Sequence, residues 1–360
     1  MKRIMLLLAA VLTLTAAMAQ KPKKNELNQL KTFLQAPSDK GISNAQALNI
    51  TDLGNPASWE GVKMENGYIT EIDWSHKNLA GALNVSGFKN LQRINVTDNR
   101  LSSLTLDNDP ALIRVDAGRN IISDLSIDNC TNLQVLRVYR NRLSTLDLTD
   151  CPLLTRLNIS GNNFAALDVS NAPNLQYLNC NSNRLEELSL SQCTQLKTVY
   201  AGYNDLRQLV LDGLTKLQYL NISSNKISNL YLQNLPSLFS IMADSNHMTQ
   251  LAFNNCPALN DVYAPYNSLT GIGFEGCPNL SFINLAWNNL TMFKLTNQQM
   301  LQRVDLTNND LLTVDLSFDT NLQVLKLGGN PMLTNVILTG DNNIQQIHGG
   351  WDDFDGINDI

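Results

Sequence analysis

The sequence predicts a β-rich solenoid of short parallel strands, with little helix outside an amino-terminal cap. Three observations carry that expectation. Twelve asparagines recur every 21 residues without a slip: Asn99, Asn120, Asn141, Asn162, Asn183, Asn204, Asn225, Asn246, Asn267, Asn288, Asn309 and Asn330. Eight residues before each stands a leucine, from Leu91 through Leu112 and Leu133 to Leu322. Ahead of each asparagine, apolar and polar residues alternate over a few positions, as in a strand with one buried face. A chain of this period buries its apolar side chains by stacking each unit on its neighbours.

The chain begins Met-Lys-Arg-Ile, runs apolar from Met5 to Met18, and offers Ala17-Met18-Ala19 ahead of Gln20. This pattern reads as a signal peptide over residues 1–19, too short and too rich in small residues at its end to span a membrane. No cysteine follows the cleavage point to carry a lipid. The expected product is exported and has no membrane span after cleavage: secreted, periplasmic or on the cell surface, and bacterial. Loss of Lys2 and Arg3 takes the formal charge from −6 to −8. That balance argues against nucleic acid as a partner.

Residues 20–71 are expected to form an amino-terminal cap. Leu27, Leu30, Phe33 and Leu34 fall on one face of a short helix over Asn25 to Gln35 that lids the first repeat. Ile72 and Trp74 start that repeat, in which Lys77 takes the asparagine place and Leu79 lies 22 residues before Leu101. Irregular terminal repeats are what caps require.

Within residues 72–343, the stretch from Leu133 to Leu143 shows the unit. Leu136 and Val138 point inward, Arg137 and Tyr139 outward, and Asn141 turns the chain. The asparagine amide both donates and accepts, so it suits backbone groups that the turn leaves unpaired in the interior. The second half, Leu143 to Cys151, repeats the spacing and ends in a second extended segment. Cys-Pro at 151/152, 256/257 and 277/278 marks a turn there.

The pattern Leu-x-x-Leu-x-Leu-x-x-Asn-x-Leu resembles the leucine-rich repeat family, and the short unit is similar to bacterial exported members, including internalin-like proteins. The resemblance covers Ile72 to about Asn343. It implies a binding scaffold and identifies no ligand. The segments Ser58 to Val62 and Gly67 to Trp74 resemble the cap and first strand of extracellular plant-type repeat domains, without their cysteines.

Five cysteines, Cys130, Cys151, Cys193, Cys256 and Cys277, fall ten residues after a repeat asparagine, where other repeats have Ala172, Leu214 and Leu235. The sixth, Cys180, takes an inward strand position. They read as buried thiols filling small sites, although Cys130/Cys151 and Cys256/Cys277 stand one strand spacing apart, within reach of a bridge.

Beyond residue 335 the register moves by one, and Ile344 and Ile347 open a terminal cap over 344–360. Its tail, Asp352 to Asp359, lacks the regular ligand spacing and terminal glutamate of a calcium loop, so a solvated polar cap is expected.

Catalytic parts are scarce. His76, His247 and His348 lie in distant repeats, and no nucleophile elbow, phosphate loop or metal-spaced cluster occurs. Asp107 and Asp128, neighbours across repeats, read as a solvated acidic edge. No enzyme, cofactor or metal is expected.

The informative variation lies on the outward positions four, two and one residues before each asparagine. On or beside them stand Arg114, Arg119, Arg137, Arg140 and Arg156, with Tyr139 among them. Later come Tyr177, Tyr200, Tyr203, Tyr219, Tyr263, Tyr266, Phe282 and Trp287. Arginine and aromatic residues are the side chains that dominate binding surfaces, while strand propensity and solubility supply the plainer explanation. An extracellular or envelope protein, bound in adhesion or host contact, is the expected partner. A glycan stacked on the tyrosines and tryptophan is one alternative, and a self-associating envelope structure another. The triplets at Asn95, Asn158 and Asn221 match glycosylation acceptors, but an outward Asn two before Ser or Thr arises from the repeat itself.

Overall fold

A computed structural model of the chain describes residues 24–296, 298–338 and the strand Gln346–His348. The leader over 1–19 and the acidic tail after 348 lie outside the described residues. The chain divides into two compact units, Met1–Leu133 and Gln134–Ile360. Each is a parallel β-solenoid.

In the first unit the helix Lys24–Gln35 buries Leu30, Phe33 and Leu34. Phe33 stacks on Trp74 with ring centres 6.1 Å apart, and Trp59 closes on Trp74 at 6.5 Å. Both indoles find an acceptor, Trp59 Nε1 donating to the Asp52 carbonyl at 2.8 Å and Trp74 Nε1 to the Glu60 carbonyl at 3.2 Å. The strands Val62–Glu65 and Tyr68–Asp73 pair antiparallel. A Cβ on Gly61, at φ +78°, would stand 2.0 Å from the Asp73 carbonyl oxygen, so only glycine fits there. A short helix, Asn44–Ala47, starts on a capping box between Ser43 and Gln46. Asn44 is fully buried and clips the cap to the repeats: its Nδ2 donates to the carbonyls of Phe33 and Ala80, and its Oδ1 accepts from the Ala80 amide.

From Glu71 onward, strands pair in parallel register. Asp73, Asn95 and Asp116 stand side by side in the first unit. In the second, Val135–Arg137 is followed by strands every 21 residues as far as Val324–Lys326, with Gln346–His348 last after a 22-residue step. Each turn also has a second extended side. It forms strands over Ala80–Asn84, Arg100–Thr105 and Asp124–Ser126 in the first unit. In the second unit the strands are Asn229–Gln233, Gln250–Asn254 and Gly271–Glu275, then Met292–Lys294, Thr313–Asp315 and Asn335–Ile337. Among the described residues no helix lies within the repeats. The core is the inward side chains of successive turns; in one turn Leu217, Leu220, Ile222, Ile227, Leu230, Leu232 and Leu235 are all buried.

The asparagines bond adjacent turns together. Asn204 Nδ2 donates to the Cys180 carbonyl of the preceding turn at 3.0 Å and to Ala201 of its own at 3.1 Å. Its Oδ1 accepts from the Leu185 amide at 3.0 Å. Asn183, Asn225, Asn246 and Asn288 repeat that pattern. In the first unit Asn99 Oδ1 accepts from both Lys77 and Leu79 amides, which absorbs the 22-residue first step.

All six cysteines are buried and none is in a disulfide, so neither neighbouring pair is bridged. Burial pushes the Cys180 thiol up to about 12 and Cys193 to about 11. Cys256 and Cys277 share a hydrogen bond, which raises the Cys277 thiol, and burial raises it further. Their inward column also carries three polar residues that the sequence reading passed over: Asp109, Gln298 and Asp319. Asp319 Oδ1 accepts from the Gln298 amide at 2.9 Å. Asp109 has no well-formed hydrogen bond to either carboxylate oxygen. Burial raises its pKa to about 8, against a smaller opposing pull from the amides of Phe88 and Gly87; burial likewise raises Asp319 to about 6.

Two outcomes follow. Asn204→Leu removes an amide that serves three backbone groups, and at about 1 to 3 kcal/mol for each buried group left unpaired it should markedly lower the denaturant midpoint. Asp109 is protonated in the folded chain up to about pH 8, whereas an unfolded aspartate ionises near its model value of 3.8. Its contribution to stability is therefore complete below about pH 4 and is lost as pH rises towards 8. Melting curves across this range should decline for the wild type and less steeply in Asp109→Asn, where Asp319, raised to about 6, still loses its contribution.

Candidate functional site

The strand face presents four outward positions per turn, at six, four, two and one residues before the asparagine. The position at six, which holds Arg114, Arg156, Tyr177, Tyr219 and Phe282, belongs to the face as fully as the other three, because each strand spans the positions six to four before it.

The position four before the asparagine does backbone work when it holds Asn or Asp. Asn95, Asn158, Asn179, Asn221, Asn284 and Asp305 each accept, through Oδ1, from the amide two residues on. This is an Asx turn. The acceptor-like triplets at Asn95, Asn158 and Asn221 therefore have a structural reason for their asparagine. Tyr200, Met242 and Tyr263 occupy the same column without that bond.

The position one before the asparagine is a corner in the left-handed region in all twelve repeats, with φ between 52° and 73°. Its amide donates to the carbonyl two before the next asparagine: Arg140 to Ser160 at 2.7 Å, Tyr203 to Ser223 at 2.8 Å and Trp287 to Thr307 at 2.8 Å. The inter-turn ladder thus holds the conformation whatever the side chain. Elsewhere among the described residues, positive φ is confined to Asn and Gly, as at Asn108, Asn234, Asn255, Gly213 and Gly276, and to His76 at the equivalent corner of the first repeat. The corner before the asparagine accepts Arg119, Arg140, Tyr203, Tyr266 and Trp287. A side chain with a Cβ costs about 1 kcal/mol or more in this region, and Gly161, Asn308 and Gly329 show that relaxed residues fit the same corner.

The sequence-named residues gather into separate groups. In the first unit, the Arg114 guanidinium pairs with Asp116 on its own strand. In the second, Arg137 and Tyr139 are half-buried beside exposed Arg140. The Arg140 side chain lies across Gly161, whose Cβ would meet its Cγ at 3.2 Å. Arg156 covers the Tyr177 ring at 5.0 Å, and Tyr177 meets Tyr200 edge-on at 5.9 Å. Tyr203 stands 64% exposed at its corner. Tyr219 packs edge-on against Phe239, a residue the sequence reading did not single out. Tyr266 and Trp287 stack at 5.8 Å with planes 17° apart while remaining 55% and 52% exposed. Burial raises the phenol of Tyr263, and Asp244, Tyr266 and Asp305 raise it further.

On the other side of the turns, Asp107 accepts from the Asp128 amide at 3.0 Å and from the Ser126 hydroxyl, a solvent-edge arrangement. Among the described residues no group of three His, Cys, Asp or Glu could hold a metal ion.

The Leucine Rich Repeat family model matches residues 216–240, a window that contains the ladder residue Asn225. The fold is that of the leucine-rich repeat proteins. An internalin, InlF of Listeria monocytogenes, shares it at 18% identity and a TM-score of 0.56 over 93% of this chain and 98% of its own. The effector YopM of Yersinia pestis does so at 20% identity and 0.56, over 77% and 84%. A leucine-rich repeat protein of Bacteroides thetaiotaomicron matches at 15% identity and 0.56, over 89% of this chain and 43% of that one. No curated protein matches the chain by sequence. Leucine-rich repeat proteins are typically non-enzymatic scaffolds for protein–protein interaction, and among the described residues no helix is long and apolar enough to cross a membrane.

The corner makes a signed prediction. Tyr203→Asn should raise stability by about 0.5 to 1 kcal/mol by relieving the left-handed strain, against the usual loss for a strand-edge tyrosine. Gly213→Tyr, at φ +82° with open space around its Cβ, should lower it by about 1 kcal/mol. Chemical denaturation of both variants checks the two signs.

Proposed function

We propose that the protein is a secreted, non-enzymatic binding scaffold that recognises an extracellular or envelope protein through the strand face of its repeats, in adhesion or a comparable surface contact. One observation supports this above the rest: large aromatic and basic side chains sit at five of the twelve left-handed corners before the ladder asparagine, whereas the left-handed corner on the second side of the turns holds only Asn or Gly among the described residues. Strain of about 1 kcal/mol per residue persists at sites where the side chain itself is needed. Tyr203, Tyr266 and Trp287 are large and half or more exposed, and their backbone is held by inter-turn bonds, so little ordering is required on binding. Arg140 and Arg156 extend the surface with charge that steers an approaching partner. Export rests on the leader pattern of residues 1–19.

The second reading, glycan binding, draws on the stacked Tyr266 and Trp287, whose rings have the size and exposure of a sugar platform.

The test is a screen of the chain against an extracellular protein library and a glycan array, with Tyr203→Ser/Tyr266→Ser/Trp287→Ser alongside. Serine already fills this corner at Ser182, Ser224 and Ser245, so the triple variant should fold and melt near the wild-type temperature. Its affinity for the partner should fall about a hundredfold, the scale of losing several interface hot spots. A partner held equally well by the variant would move the site off the strand face. Salt separates the two readings: steered protein binding weakens with ionic strength, whereas sugar stacking does not.

A further inference from the structure

We infer that the part of the strand face between Asp244 and Trp287 is a subsite for a cationic side chain, arginine foremost, projecting from the partner polypeptide. The inference rests on the strand-face reading above and adds the chemistry of one of its contacts.

The aromatic half of the subsite is the Tyr266/Trp287 slab with Tyr263 beside it. Each stacked ring spends one face on the other. On the free side of Tyr266, the corner of the preceding turn holds Ser245, and on the free side of Trp287 the following corner holds Asn308. Neighbouring turns are ~4.8 Å apart. A planar group laid on the free face of Tyr266 therefore occupies the level of Ser245, where the chain itself supplies only a small side chain.

The same level carries Asp244. Its carboxylate accepts from the Ser223 hydroxyl and, at 3.1 Å, from the Ser245 hydroxyl. No base meets it among the described residues. Asp261, on the strand of Tyr263, is half-buried and likewise faces no base; burial pushes its carboxyl above the ordinary value. Two other strand-face carboxylates are neutralised within the protein. Asp116 has Arg114, and Asp305 has Lys326 at 3.0 Å. Arg303 stands two turns beyond Asp261 in the same column, with Phe282 between them.

Exposed π faces with two carboxylates that no base pairs with among the described residues complement a cation. Guanidinium fits better than ammonium, because its plane stacks on tyrosine or tryptophan while its edge donates to a carboxylate. A neutral sugar would use the rings and leave both charges uncompensated, so the acids favour the cation.

The experiment titrates the full chain with four decapeptides of one glycine-serine background, carrying two arginines, two lysines, two glutamines or two glutamates. A neutral oligosaccharide is the fifth probe. Tryptophan fluorescence and calorimetry report binding, with Trp287→Phe assigning the optical signal. The arginine peptide should bind about tenfold tighter than the glutamine peptide, with lysine between them, and the preference should shrink as salt rises. Asp244→Asn/Asp261→Asn should abolish it while the melting temperature stays near the wild-type value. Should that variant fold poorly, Tyr266→Ser/Trp287→Ser provides the same reading from the aromatic side. Equal binding of glutamine or glutamate peptides overturns the inference, as does saturation by the oligosaccharide with the acid variants unaffected, or no binding of any peptide. Each of these leaves the strand-face reading standing, since that reading fails only if the triple serine variant keeps its partner.

Discussion

The asparagine amide is the interaction on which the rest of this fold depends. Wherever a tight turn carries the chain inward, backbone groups lose water and must find partners. Asn225 supplies three: its Nδ2 donates to the carbonyls of Ala201 and Ile222, and its Oδ1 accepts from the Leu206 amide. Aspartate could not donate, and glutamine would carry the amide one carbon too far. Because one side chain bonds two successive turns, each turn is held in register with its neighbour through the 21-residue period. The departures from it lie near the ends of the array. Thr313 pairs with Asn335 across 22 residues, and Asn99 accepts from two amides of a longer first turn.

Once backbone bonds hold the turn, outward side chains are released from structural duty, and the chain uses its two corners differently. The corner on the second side is filled for stability: Asn108, Asn129, Asn234 and Asn255 suit a positive φ, and their amides join in pairs, Asn129 to Asn108 and Asn255 to Asn234. The corner before the ladder asparagine has the same backbone conformation and carries arginine, tyrosine or tryptophan at five of its twelve positions, with aspartate, serine, asparagine and glycine at the others. Equal geometry with unequal composition separates a side of the turn that maintains the fold from one that maintains something else. The repeats within one chain serve as each other's controls.

That contrast was hidden from the sequence, although the fold was not. The leucine and asparagine spacing gives the parallel turns, and the apolar face of Leu30, Phe33 and Leu34 gives the capping helix, because both are matters of period. A left-handed φ announces itself in sequence only when glycine or asparagine occupies it, and Arg140, Tyr203 and Trp287 conceal it. The outward strand position six before the asparagine is hard to place from sequence because Arg114 and Tyr177 lie at the far end of a three-residue strand. Asn95 and Asn158 look like glycosylation acceptors until the Asx turn explains them. The cysteine column reads as apolar from its majority, so buried Asp109, Gln298 and Asp319 escape notice. Asn44 bridges 36 residues to Ala80, and no local pattern marks so distant a partner.

The spacing of the strained aromatics bears on the size of what they meet. Tyr203 and Tyr266 lie 63 residues apart, three turns, with Ser224 and Ser245 at the corners between them. At ~4.8 Å per turn that is about 14 Å, more than one sugar ring covers and about the reach of four extended residues. A ligand that touches both must run along the strand face across successive turns. Small corners between large ones give such a segment somewhere to lie, because serine at Ser224 and Ser245 leaves a gap bounded by Tyr203 at one end and the Tyr266/Trp287 stack at the other. An interrupted row of this kind is poorly suited to a flat apolar contact, which would favour continuous large side chains. It suits a chain whose own side chains alternate with the gaps, which makes a polypeptide segment the better match to the face as built.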